Sequence, residues 1–179
     1  VTRRHLAMTE SALGNLDAAE ALYLEALATL EARVGPSHLE IAAAVNGLAV
    51  VARKRGDLLQ ARRLLERSLE IVEGIYGPEH REVAGTLNNL GNVLGDLGDL
   101  DAARQAFERA LAIREGSPSP NPLEVAQSLS NLGGLLRREG DVEGAVILLE
   151  RALAMREAGS GPDSRLVALT LANLGDALR

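Results

Sequence analysis

Cysteine and tryptophan are absent from the 179-residue chain, and its aromatics are two tyrosines and one phenylalanine. Without cysteine there is no disulfide, no thiolate metal site and no thiol nucleophile. That is consistent with a reducing compartment, and the cytoplasm is the expected location. Three aromatics cannot carry a core of large rings. The apolar fraction of 46% comes mostly from Ala, Leu and Val, which suits helices packed closely through small side chains. No apolar run approaches the roughly 18 residues of a membrane span, and no signal-peptide pattern is visible, so no membrane partner is expected. A cationic excess is missing too: the net charge is −6, whereas a general nucleic-acid surface is normally basic. No Gly-rich phosphate loop ends in Lys-Ser/Thr, and no strand precedes a dinucleotide fingerprint. Of the histidines His5, His38 and His80, the last two recur in equivalent turns with no carboxylate cluster between them. Serines and acids have no histidine base in plausible reach. Neither catalysis, nor a metal, nor a cofactor is expected of this chain.

What is present is a period. Gly14, Gly56, Gly98 and Gly140 fall 42 residues apart, as do Asn15, Asp57, Asp99 and Asp141. Ala19, Ala61, Ala103 and Ala145 keep the same interval, and so do Leu27, Leu69, Leu111 and Leu153. A fixed period of this size is the sign of a solenoid, whose repeats each touch only their neighbours.

Each unit reads as two helices. Glycine accepts the left-handed conformation just past a helix end, and the Asn or Asp after it is a favoured N-cap. The spacing predicts helices over about 16–33, 39–55, 58–74, 81–97, 100–115, 123–139, 142–158 and 165–179, after the tail of a first one in 1–13. All six prolines fall in the breaks between units: Gly35-Pro36, Gly77-Pro78, Pro118-Ser119-Pro120-Asn121-Pro122 and Gly161-Pro162. The third break is the most proline-rich. The period runs through it without insertion, so it reads as a stiffened turn. On the second helices Arg62/Glu66 and Arg104/Glu108 are four apart and read as pairs on a solvated face. The units are about 1–38, 39–80, 81–122, 123–164 and a partial 165–179, in one array that reads as a fragment of a longer protein. The expected fold is all-α, a right-handed α-α superhelix of antiparallel helix pairs.

Leu90-Gly91, Gly98, Ala103, Phe107 and Ala110, repeated as Leu132-Gly133, Gly140, Ala145, Leu149 and Ala152, resemble the tetratricopeptide repeat. The long period, Leu-Asn-Asn-Leu-Gly at 87–91 and Gly-Pro-Glu-His at 77–80 look like the kinesin-light-chain type. The resemblance covers the whole chain. Departures are Leu94, Leu136 and Ala52 where the family has large aromatics, Ala49 in place of Gly, and Ser68 in place of a small Ala. The Ala/Arg/Gly-rich composition points to a GC-rich bacterial source.

The resemblance implies a non-catalytic scaffold whose first helices line a groove for a protein or extended peptide. By register the groove-facing residues are Asn46, Val50, Arg53 and Lys54, then Asn88, Asn89, Asn92 and Asp96. Ser130, Asn131, Gly134, Arg137 and Arg138 follow, then Asn173, Asp176 and Arg179. Asn89, Asn131 and Asn173 recur one period apart although Asn is a poor helix former. An amide can hold a peptide backbone without reading its side chains, and in the family asparagines at this place do so. Bonding between neighbouring repeats is the other reading of the row. Arg53, Lys54, Arg137 and Arg138 would attract an acidic segment or terminal carboxylate. The basic clamp of chaperone-tail binders is not matched, because Ala43, Gly85, Gln127 and Leu169 stand there. An intramolecular regulatory arm of a kinase, nucleotide-switch ATPase or protease is the alternative. Self-association through open repeat ends is a third.

Overall fold

A computed structural model of the chain describes residues 2–161 and 164–178. Pro162, expected in the fourth break, and Arg179, expected at the groove, lie outside the described residues. The nine helices among the described residues are α1 (Thr2–Leu13), α2 (Leu16–Val34), α3 (Leu39–Arg55), α4 (Leu58–Tyr76), α5 (Arg81–Leu97), α6 (Leu100–Glu115), α7 (Pro122–Glu139), α8 (Val142–Ser160) and α9 (Arg165–Ala177). They stack as an all-α superhelix of antiparallel pairs, each pair packed on the next.

The turns follow the local chemistry. Gly14, Gly56, Gly98 and Gly140 have φ between +86 and +88 or, at Gly56, +85, a region that penalises any Cβ. Asp57, Asp99 and Asp141 cap α4, α6 and α8 by accepting from the N–H of Gln60, Ala102 and Gly144. Asn15 makes no such bond; its Nδ2 donates to Glu10 at 2.7 Å instead. His38 and His80 are also caps, their Nδ1 accepting from the N–H of Glu40 and Glu82. In the proline-rich break Asn121 caps α7 and Pro122 takes its first position, where the missing N–H is no loss. Helices α4 and α8 run two residues past the expected ends, to Tyr76 and Ser160.

Packing rests on small residues. Ala19, Ala61, Ala103 and Ala145 are all fully buried. Gly91 faces the Phe107 ring so closely that a Cβ would meet it at 2.6 Å. Where Leu65 replaces that phenylalanine one unit earlier, Ala49 replaces the glycine, so the joint volume is kept. One apolar core runs from Ala7 through Leu135. Beyond it lie two smaller clusters, one around Val125 and Leu129, the other around Leu136 and Leu149.

The surface charges lace units together more than they brace single helices. Arg62 does pair with Glu66 at 2.7 Å. Arg104 does not take Glu108; it bonds Glu139 of the next unit. Arg67, Arg109 and Arg151 reach back to Glu31, Glu73 and Glu115 of the preceding second helix, at 2.5, 2.7 and 2.6 Å. An exposed pair of this kind contributes about 0–1 kcal/mol.

Candidate functional site

The backbones of successive first helices approach one another, α1 with α3, α3 with α5, α5 with α7 and α7 with α9, whereas among the described residues those of successive second helices stay apart and are joined through arginine–glutamate pairs. The first helices therefore line the inner side of the curve, and the predicted groove residues lie along it.

Their side chains form a ladder between units. Asn89 donates through Nδ2 to Asn46 Oδ1 at 2.8 Å, and Asn131 to Asn88 Oδ1 at 3.0 Å, each across 43 residues. Asn46 in turn donates to Thr86 Oγ1 at 3.4 Å. Asn88 donates to Ser128 Oγ and to the Ala84 carbonyl, both at 3.0 Å. Asn88 and Ser130, expected on the exposed face, are 2% and 6% exposed. Their column points across to the next repeat because the offset between units is one residue more than the period.

The cations obey the same offset. Arg53 pairs with Asp96 at 2.6 Å. Lys54 donates to the Ser11 carbonyl at 2.5 Å and Arg138 to the Gly95 carbonyl at 2.8 Å. Both carbonyls lie in the last turn of a first helix, where a positive charge is favoured by the helix dipole. The side chains of Asn92, Arg137 and Asn173 make no hydrogen bond or ion pair with the described residues. The ten predicted residues thus divide: Arg53, Lys54, Asn88 and Arg138 join repeats, Asn46, Asn89 and Asn131 do so with one amide hydrogen left, and the side chains of the other three are available.

Two features were not read from the sequence. A recess of about 600 Å³ opens on the inner face between α1, α3 and α5, lined by Tyr23, Ala43, Val50, Val72 and Gly85 among others. It exists because Ala43 and Gly85 put almost no side chain over the α4 floor. A Cβ at Gly85 would meet nothing within 4 Å. Arg4 stands at this recess with no carboxylate partner among the described residues, and burial raises the Tyr23 pKa, with Arg4 opposing. The second feature is Arg114, one period beyond Val72. It is 7% exposed, and its Nη1 donates to the Glu124 carbonyl at 2.5 Å and to Ser128 Oγ at 2.9 Å. Desolvation lowers its pKa, with Glu124 opposing. Arg156 repeats the arrangement with the Leu166 carbonyl and Thr170. The available signal was a charged residue, twice at one period, in a column otherwise held by Leu30 and Val72.

Among the described residues no group of three or more His, Asp or Glu is placed to hold a metal, and no helix is long and apolar enough to cross a membrane.

No curated protein matches the chain. Family models described as "Tetratricopeptide repeat" match residues 40–116 and 124–179, and another matches 1–40. Among solved structures, BtubC (BKLC) from P. vanneervenii is similar at 28% identity and a TM-score of 0.79 over 91% of this chain. The chain spans 66% of that protein's length. A Podosopora anserina putative kinesin light chain with nearly identical TPR-like repeats has the same fold, at 21% identity and a TM-score of 0.78. The match covers 98% of this chain and 83% of that one. With the period, the capped turns and the small-residue columns these matches agree, and the chain belongs to the tetratricopeptide repeat family.

Proposed function

We propose that the array is a non-catalytic interaction scaffold that takes a protein partner's extended segment along its inner face. Repeats of this family generally mediate protein–protein interaction, and the fold is typically a scaffold rather than an enzyme. The recess beside Ala43 and Gly85 carries the reading: about 600 Å³ of space on the inner face, within the range of sites that bury a ligand group. Arg4 at the recess, where Glu82 is the one carboxylate in the lining, and Arg137 elsewhere on the inner face have no carboxylate partner among the described residues, in a chain of net charge −6. They favour an acidic segment. Asn92 and Asn173, with the remaining amide hydrogens of Asn89 and Asn131, supply neutral contacts.

Selection of displayed peptides on the native chain and on Gly85→Trp tests this. The substitution fits without a clash at its Cβ and replaces a mid-helix glycine, so the fold is kept. Acidic peptides should enrich on the native chain and fail on the variant. Equal enrichment on both, or none on either, overturns the inner-face reading. A regulatory arm packing on its own multidomain chain is the second reading.

A further inference from the structure

The inner-face ladder has two closed rungs and one open one. Asn89 reaches Asn46 and Asn131 reaches Asn88, at 2.8 and 3.0 Å across 43 residues. At the same interval Asn173 stands opposite Ser130, and no hydrogen bond joins them. Serine holds its oxygen a bond nearer the backbone than asparagine does, so the gap stays unbridged. The Ser130 Oγ is covered and has no hydrogen-bond partner, in a residue only 6% exposed. Native proteins keep few such groups, and each calls for an explanation.

Ser130 and Asn173 line a recess of about 220 Å³ together with Asn92, Asn131 and Gly134. A water's share of the liquid is about 30 Å³, so the space suits a group larger than one water. Gly134 leaves the floor open, since a Cβ there would meet nothing within 4 Å. The charged groups at the recess are already engaged: Arg138 on the Gly95 carbonyl and Asp96 on Arg53. What remains for an occupant is a hydroxyl and neutral amides.

We propose that this open rung is a subsite for a primary carboxamide, the side chain of an Asn or Gln in the partner, seated where asparagine's own amide sits in the closed rungs. The inference rests on the inner-face reading above. Asn88 shows what the position uses: two N–H bonds, to Ala84 and Ser128, and an oxygen that accepts from Asn131. A primary carboxamide brings two N–H donors and an acceptor; a main-chain peptide unit brings one N–H.

The test is a titration of the folded chain with propionamide, N-methylacetamide and acetate, followed by NMR of the side-chain amides of Asn92, Asn131 and Asn173. Propionamide should give saturable shifts, and the other two should bind about tenfold more weakly or not at all. Ser130→Asn installs the missing amide and should lose propionamide binding about tenfold while keeping native helicity. Ser130→Ala, which removes only the hydroxyl, should weaken it severalfold. An equal response to N-methylacetamide, undiminished binding by either variant, or no saturation by propionamide overturns the proposal. Peptide enrichment without propionamide saturation overturns the subsite and leaves the inner-face reading standing; saturation without enrichment does the reverse.

Discussion

The two unit junctions on either side of α5 and α6 are built from the same columns and solved differently. At the earlier one the last turn of the second helix presents Val72, which belongs to the continuous apolar core and lines the large recess. At the later one the same column holds Arg114, whose guanidinium lies against α7, bonded to Glu124 and Ser128. The continuous apolar core reaches no further than Leu135, and the clusters beyond it are small. The difference teaches that one repeat plan tolerates either an apolar contact or a buried cation with neutral partners. Both line the large recess, Val72 with an apolar wall and Arg114 with a guanidinium already engaged.

The largest expected effect tests what the two junctions share. Ala103 is fully buried in the alanine column common to all four helix pairs. Ala103→Arg forces a charge into a tight helix contact and should unfold the chain. A circular dichroism melt like that of the native protein would show that the column is not where the helices close.

Next in size is the contrast between the junctions themselves. Arg114→Ala should cost about 2–4 kcal/mol in urea unfolding, through lost packing and lost hydrogen bonds. Arg114→Met keeps the volume and removes a buried cation that has no bonded carboxylate. It should lie within about 1 kcal/mol of the native chain or above it. If both variants cost the same, the charge rather than the volume holds the later junction. The smallest effect compares two turns. Asp99→Ala should cost about 1 kcal/mol by uncapping α6, whereas Asn15→Ala should change stability by less than about 0.5 kcal/mol because its side chain caps nothing. Equal losses would mean that the capping bond contributes little at either turn.

The fold was legible because its punctuation is local. Glycine at a left-handed turn, aspartate at the next N–H and proline in each break act within a few residues, and they recur at one period. The inner-face residues were legible as a set but not in their roles. Asn88 and Asn89 are adjacent in the sequence, and nothing local distinguishes the one buried against the next repeat from the one reaching back to Asn46. Arg104/Glu108 had the spacing of a helix pair, yet a stronger partner came from another unit. Nothing local distinguishes Arg114 from a surface arginine, because its cover, α7, comes after the break.

The sequence by itself determined the repeat, the helices and their caps, because backbone sterics and short-range hydrogen bonds set those. Only the tertiary structure decided which amide and which cation were free. That choice depends on a 43-residue offset between stacked units, and the offset arises from how small side chains let whole helices settle against each other.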